Sequence, residues 1–163
     1  MAVYEGSAGI KALRDKINLK SKMLVGESLE KIATHMVDES PLGAKYYKTG
    51  AGAISVIGLV QNDQGDFKNS WMVGIGEADL NTRGADVNGT AAVADAIIKS
   101  KLYNLQEDTF VTNNVDHAQM VEGGWNDNPE YGWKAKGGYH VVGNNIGAAE
   151  AILEVVAQKV SKL

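Results

Sequence analysis

The side chains that most often bind metals or transfer protons are widely separated in this sequence. The histidines are His35, His117 and His140, and none of them belongs to a His-x-x-x-His pair or another zinc-hydrolase motif. The sequence contains no cysteine, which excludes disulfides, thiolate catalysis and cysteine-ligated zinc. We therefore predict that the protein has no metal site and no cofactor.

Motifs for phosphate binding and nucleophilic catalysis are also missing from the sequence. Gly74-Ile75-Gly76 follows a predicted strand, but Asp79 stands where a dinucleotide-binding turn requires its third glycine. The chain has neither a Gly-x-x-x-x-Gly-Lys-[Ser/Thr] loop nor a Gly-x-Ser-x-Gly turn. No nucleophile has a base at a local spacing typical of a triad. We therefore predict no catalytic residue and expect that the protein is not an enzyme.

Composition and charge narrow the class of protein. The 163 residues, of which 44% are hydrophobic and 22% charged, indicate a single globular domain. The formal net charge is −4, whereas proteins that neutralise nucleic-acid phosphates usually have a basic excess. No apolar run approaches the ~20 residues that cross a bilayer, so we expect no membrane partner.

Hydrophobic spacing predicts a helix at each end of the chain. Residues 8–38 carry apolar side chains mostly three to five positions apart, and Pro41 ends this helix because the residue before a proline avoids the α region. Gly26 favours a break near residues 19–26, since glycine weakens a helix interior. Residues 144–162 have the pattern of an amphipathic C-terminal helix.

The region between these helices contains predicted strands and a middle helix. Phe67–Ala78 has the period-two pattern of a strand, and Thr109–Asn113 is a second β-rich run. Thr90 is predicted to cap a middle helix that extends to Lys101, and Asp116–Val121 to form a short helical turn. Together the elements predict an α+β fold, in which long N-terminal and C-terminal helices pack on an antiparallel or mixed sheet.

A glycine- and alanine-rich segment, residues 42–66, separates the first helix from the predicted sheet. We predict a long loop or a β-hairpin arm here, and a buried strand of the core sheet is the alternative. An exposed arm would place four apolar residues against a partner chain: Ile54, Val56, Ile57 and Leu59. The single predicted domain, residues 1–163, thus has four parts: an N-terminal helical region 1–38, the arm 42–66, a region 67–142 of sheet, middle helix and loops, and the C-terminal helix 144–162.

Two segments have a distinctive order of residues. The first is Phe67-Lys68-Asn69-Ser70-Trp71, preceded by Lys48-Thr49-Gly50, and the second is Val111–Trp125, with the sequence VTNNVDHAQMVEGGW. Together they resemble the neck and tail-completion (head–tail joining) proteins of tailed bacteriophages. That family typically has a Thr-Gly, then an Asn-Trp or Asn-Ser-Trp strand, and later an Asn-Asn pair and a Glu-x-Gly turn before a closing helix. The order and spacing match from near residue 25 to the C-terminus.

The resemblance implies structural roles for seven motif residues: Asn69, Trp71, Asn113, Asn114, His117, Gly123 and Gly124. Physical reasons support several of these roles independently. Asn113 and Asn114 end a predicted strand, where side-chain amides satisfy backbone groups. The Gly123-Gly124 pair permits a sharp turn, and we expect Trp71 to lie in the core.

Three further residues are predicted to contact other protein chains. Trp125 and Trp133 lie in a loop with several polar residues, and aromatic anchors dominate protein interfaces. Glu122 is expected to accept hydrogen bonds from loop amides or to pair with an arginine or lysine of a neighbour. A solvated carboxylate is the simplest alternative for Glu122.

The resemblance implies a structural virion protein of the phage neck, which joins the DNA-filled head to the tail. It would form a ring around the DNA channel, expected to be a hexamer, with a head-closure or adaptor ring on one side and tail-terminator or tail-tube proteins on the other. We expect it in the virion, and in the host cytoplasm during assembly. Packaged DNA would be a non-specific neighbour. Residues 38–130 hold six basic and fourteen acidic residues, a net −8, which suits an acidic lumen that repels phosphates, although ordinary solvation also explains this charge.

Two alternative functions are compatible with the sequence. The first is the tail terminator, a neighbouring ring protein of similar size and architecture. The second is a small ligand-binding or catalytic α+β domain, for which Asp116, His117 and Glu122 would have to share a deep pocket.

Overall fold

The computed structural model describes residues 3–41, 46–48, 54–56, 65–115, 118–125 and 136–163. The elements in chain order are α1 (Val3–Glu39), β1 (Tyr46–Lys48), β2 (Ile54–Val56), α2 (Asp66–Asn69), β3 (Trp71–Ile75), α3 (Thr90–Leu102), β4 (Thr109–Asn113), α4 (Ala118–Gly123), β5 (Gly124–Trp125), β6 (Lys136–Gly137) and α5 (Val141–Ser161). Long helices at both ends and small antiparallel strand pairs between them form one domain, so the predicted α+β fold is confirmed.

The first helix, α1, is one uninterrupted element of 37 residues, so the predicted break near residues 19–26 is wrong. The glycine that suggested the break has a packing role instead. A β-carbon at Gly26 would lie 2.7 Å from the carbonyl oxygen of Ser100 in α3. The two helices therefore approach this closely only because residue 26 has no side chain. The helix ends at Glu39, two residues before Pro41, as predicted.

The last helix, α5, runs antiparallel along α1. Near one end of the contact, His35 Nδ1 donates to Asn145 Oδ1 at 2.7 Å. At the other end, Lys20 Nζ donates to the carbonyl oxygen of Ser161 at 3.1 Å. Because the two pairs occur in opposite order along the two helices, α5 ends level with Lys20 and leaves the first part of α1 beyond it.

The described strands form three separate antiparallel pairs: β1 with β2, β3 with β4, and β5 with β6. In the longest pair, Val73 lies opposite Val111. The predicted strand Phe67–Ala78 is too long, because residues 66–69 form the short helix α2. This helical turn begins at Gly65, which has a left-handed φ of 84°, and the Asn69 N–H donates to its carbonyl at 2.8 Å.

Two predicted helix starts also need correction. Thr90 does not cap α3. The carboxylate of Asp86 does so, and it accepts the N–H of Asn88 at 2.9 Å and that of Thr90 at 2.9 Å. Gly89 occupies the N-cap position with a φ of 62°, without a side chain to cap the helix. The C-terminal helix begins at Val141, three residues before the predicted start.

The core lies where α1, α2, α3 and β3 meet. Its larger cluster contains Met36, Val37, Phe67, Trp71, Ala92 and Val141, and a second cluster contains Leu29, Ala33, Val73 and Ala96. Small alanines on α1 and α3 let these helices pack closely, as at Gly26. All the α1 residues in these clusters belong to the C-terminal half of that helix.

Candidate protein interface

The motif residue Asn69 joins three segments of the chain. It is buried at the end of α2, its Nδ2 donates to the carbonyl of Gly84 at 2.8 Å, and its Oδ1 accepts the N–H of Ala92 at 3.2 Å. The side chain therefore holds the loop after β3 against the first turn of α3. Both amide functions are satisfied within the protein, as a buried polar group requires.

Trp71, the second residue of this motif, is only 3% exposed and lies in the core as predicted. Its Nε1 donates to Ser40 Oγ at 2.7 Å, and Ser40 Oγ in turn donates to the carbonyl of Met36 at 2.6 Å. Its ring meets Phe67 edge-to-face with the centroids 5.5 Å apart. Trp71 thus fixes β3 to the C-terminal end of α1.

The Asn-Asn pair at the end of β4 fastens this strand to two neighbouring segments. Asn113 Nδ2 donates to the carbonyl of Phe67 at 2.7 Å, and Asn114 Nδ2 donates to that of Leu80 at 2.8 Å. The predicted use of these amides to satisfy backbone groups is confirmed. Their partners are 46 and 34 residues away in sequence, so the pair stabilises the tertiary arrangement of the sheet.

Glu122 caps the N-terminus of α5. Its two carboxylate oxygens accept the N–H groups of Val142 at 3.0 Å and Gly143 at 3.1 Å. This arrangement stabilises the free amides and positive dipole end of the helix. Glu122 was predicted either to accept hydrogen bonds from backbone amides, to pair with a neighbour's arginine or lysine, or to be solvated, and the structure shows the hydrogen bonds from backbone amides. Nearby Gly124 has a φ of 81°, so the predicted turn at the Gly-Gly pair uses its second glycine.

Arg83 and Asp95 form a structural pair that sequence analysis did not identify. Arg83 donates to the carbonyl of Trp71 at 2.8 Å and lies 3.3 Å from the Asp95 carboxylate, and both side chains are mostly buried. Asp95 also accepts the N–H of Val73 at 3.0 Å. The pair thereby satisfies backbone groups of β3. Its members are twelve residues apart, in a polar loop and a helix, so no local spacing indicates their contact.

For several of the site residues predicted from the sequence, the structure gives only the strand or helix in which they lie, and for others it gives no position. Ile54 and Val56 lie in β2, which pairs with β1, and Trp125 lies in β5 opposite Lys136. Gly123 ends α4, with open space around its α-carbon. The remaining predicted residues lie outside the described part of the chain: Ile57, Leu59, His117 and Trp133.

Apolar side chains are uncovered on two of the long helices. Every side chain from Ala8 to Leu19 of α1 is exposed, and we call this segment the α1 overhang. It includes Ile10, 71% exposed, and Leu13, 60% exposed. On α5, exposed apolar residues include Val142, Ile146, Leu153 and Val155. Single exposed apolar residues are ordinary, but a continuous apolar stripe marks an interaction surface.

The described surface has a depression at the end of β3 and along the loop that follows it. An open depression of about 450 Å³ is lined by residues 74–75, 77–81 and Lys99. Its Asp79 has a pKa below the ordinary value, mainly because the Asn81 backbone N–H donates to the carboxylate. Within the described ranges, no three histidine, aspartate or glutamate side chains cluster in a way that could hold a metal ion. The depression contains the carboxylates of Glu77 and Asp79 and the amine of Lys99, and the Asp79 carboxylate accepts the N–H of Asn81 within the loop.

Comparison with protein-family models, with curated proteins and with solved structures finds no match to this chain. None of the helices in the described part of the protein has the length and apolar character needed to cross a membrane.

Proposed function

We propose that this protein is a structural subunit of the neck of a tailed bacteriophage. In this proposal it joins the DNA-filled head to the tail as one member of a ring around the DNA channel. The observation that carries the proposal is the uncovered apolar surface of the α1 overhang and α5, next to a body in which the motif residues bond within the chain. Such a division suits a subunit that presents rigid surfaces to other proteins.

The motif residues support a rigid body. Asn69 and Trp71 are two residues apart, whereas Asn113 and Glu122 lie much further along the chain, and each of the four bonds a different segment of the same domain. These bonds lie between elements, so their loss would change how the surfaces are oriented. A ring requires the same orientation in every copy, because small angular errors prevent closure.

The apolar surface supports protein partners. Contacts between two different surfaces of one chain are head-to-tail, and they produce closed rings when the rotation between copies is suitable. We propose six copies, with a head-closure or adaptor ring on one side and tail-terminator or tail-tube proteins on the other. Each additional contact around the ring adds buried area, which gives the joint its strength.

The charge distribution supports proximity to DNA without tight binding. At the open end of the β3–β4 pair, the Gly76 N–H donates to the carbonyl of Asp108 at 2.8 Å. Four acidic residues lie near this end: Glu77, Asp79, Glu107 and Asp108. Three of them are exposed. We propose that this end faces the channel, because like charge removes the attraction that would hold a phosphate backbone.

Disruption of the gene in a phage genome, with complementation in trans, tests the proposal. We expect DNA-filled heads and separate tails of normal length, with joining restored by the wild-type chain. Tails of uncontrolled length would instead indicate the tail terminator. Infectious particles at wild-type levels would contradict both ring functions, and turnover of a small molecule by the purified chain would favour a catalytic domain.

A further inference from the structure

We propose that the α1 overhang docks antiparallel on the outer stripe of α5 in a second copy of this chain. The outer stripe consists of three exposed residues, Val142, Ile146 and Leu153, and the half-buried Ala149 between them. The idea that such contacts close into a ring rests on the proposed function, but the contact itself is argued from the two helix surfaces alone.

The overhang continues the face of α1 that its own α5 covers lower down. Ile10, Leu13, Ile17 and Lys20 follow one another at spacings of three or four residues, so they lie on one face of α1. Lys20 on this face donates to the carbonyl of Ser161, the last residue of α5. Beyond Lys20 the same face continues without cover from α5, because α5 ends at Ser161. The uncovered part therefore has the pattern that packs on α5 elsewhere in the molecule.

The outer stripe of α5 has a matching pattern. Ile146, Ala149 and Leu153 are spaced by three and four positions, as Ile10, Leu13 and Ile17 are, which is the seam spacing of paired helices. In an antiparallel pairing the two orders are reversed, so the outer residues of the triplets are offset by one position, about 1.5 Å. Each triplet extends about 10 Å along its helix, at 1.5 Å per residue. In an antiparallel pairing, Leu13 lies opposite Ala149, so a large side chain meets a small one at the centre of the seam.

The two surfaces also have opposite charge. Residues 8–22 hold five basic residues and one acidic residue, whereas the only charged residues of segment 141–158 are Glu150 and Glu154. Arg14 follows the central Leu13, and Glu150 follows the central Ala149. An antiparallel seam places Arg14 and Glu150 on the same side, where an ion pair between helices sets partner and direction.

A second copy of the chain fits both surfaces, whereas anionic lipid or DNA fits only one. Anionic lipid or DNA would attract the basic overhang, but either would leave the apolar stripe of α5 exposed. Contact between copies covers both stripes at once. Since the overhang and the stripe are different surfaces, each copy can give one and receive the other, as a closed ring requires.

The absence of cysteine from the chain allows a clean cross-linking test. We would mix the full-length variant Leu13→Cys with the full-length variant Ala149→Cys under mild oxidation. A disulfide needs Cα atoms about 4.4–6.8 Å apart, so we expect a mixed dimer as the main product. The double variant should give a ladder of covalent multimers.

Leu19→Cys is the matched control. Leu19 is 59% exposed, almost the same as Leu13 at 60%, but it lies about 120° around the helix. We expect little product when Leu19→Cys replaces Leu13→Cys. Arg14→Glu should strongly reduce the Leu13–Ala149 cross-link, and Glu150→Arg in the partner should restore it.

The outcomes separate the docking contact from the ring. Rings that assemble without a Leu13–Ala149 cross-link above the Leu19 control would overturn the contact and leave the neck function intact. Cross-linking into a closed pair that uses both contacts reciprocally would support the contact and contradict the ring. The docking contact would also be overturned if the chain stays an unlinked monomer and its overhang binds phosphatidylglycerol vesicles or double-stranded DNA.

Discussion

The two halves of α1 have the same helical conformation but very different surroundings. From Leu24 to Glu39 the helix lies between α3 and α5, and four of its residues, Leu29, Ala33, Met36 and Val37, belong to the core. From Ala8 to Leu19 all side chains are exposed, although Ile10, Leu13 and Ile17 have the same apolar spacing. One half is covered by its own chain, and the other has the surface of a helix that packs on something else.

The comparison shows that helical spacing predicts a face but not what covers it. In the C-terminal half, Gly26 and Ala33 let the neighbouring helices approach closely. In the overhang, basic residues alternate with the apolar ones, so charged groups lie beside each exposed apolar side chain. The same apolar spacing thus occurs on a buried surface and on an exposed one.

Replacement of Trp71 should produce the largest effect. Trp71→Ala removes a buried aromatic side chain and its bond to Ser40, and we expect a loss of about 3–5 kcal/mol in the free energy of unfolding. Leu13→Ala in the overhang should change the same quantity by less than about 0.5 kcal/mol. Urea denaturation of the monomer measures both. Equal losses would show that the overhang is covered in the monomer and would break the comparison.

Trp71→Phe sharpens this result, since it keeps most of the ring and removes the Nε1 donor. We expect a cost of about 1 kcal/mol for the lost hydrogen bond to Ser40, together with a smaller packing loss.

Two glycines of α1, Gly26 and Gly9, should respond in opposite directions to alanine. Gly26→Ala places a β-carbon 2.7 Å from the Ser100 carbonyl, so the helices must separate, at a cost of about 1–3 kcal/mol. Gly9→Ala has nothing within 4 Å and should stabilise the helix by up to about 1 kcal/mol. Thermal unfolding of the two variants gives the comparison. A stabilising Gly26→Ala would contradict the close approach of α1 and α3.

Glu122 should have an intermediate effect, confined to the start of α5. Glu122→Ala removes the acceptors for the Val142 and Gly143 amides, and loss of a helix cap costs about 1 kcal/mol. Glu122→Gln keeps one carbonyl acceptor and should cost less. Hydrogen exchange of the α5 amides locates the change. Unaltered exchange in the first turn of α5 would show that the carboxylate is not the cap.

Acidification should have the smallest effect. Backbone N–H donors at Asn88 and Thr90 hold the pKa of Asp86 below its ordinary value of 3.8, and the Asn81 N–H acts similarly on Asp79. Because the folded pKa is lower, this stabilisation is complete above pH 3.8 and is lost as the pH falls through the lowered value. Asp86→Asn should make stability less dependent on pH below about 4. An unchanged acid profile would contradict the capping role of Asp86.

The sequence was sufficient for features that depend on local chemistry. The limits of β4, the end of α1 before Pro41 and the C-terminal helix follow from side-chain period and proline geometry. Burial of Trp71 and the backbone bonds of Asn113 follow from the chemistry of their side chains. The α+β class could be inferred from the order of these elements.

Features that depend on distant contacts could not be predicted. Gly26 weakens an isolated helix, but here its value is the close approach to α3, which only the tertiary structure reveals. Thr90 is a residue type that often caps helices, but here the Asp86 carboxylate accepts the N–H of Thr90 and caps the helix. Arg83 and Asp95 meet because β3 and α3 lie side by side. The overhang was visible as an apolar pattern, but its exposure depends on where α5 ends.

The most direct test of the account is the mass of the purified full-length chain in solution as its concentration rises. We predict that the chain assembles into a discrete species of six times 17.4 kDa, with a central channel visible by electron microscopy. A chain that stays at 17.4 kDa at every concentration, and is missing from assembled virions, would contradict the claim that its exposed helix surfaces join protein to protein.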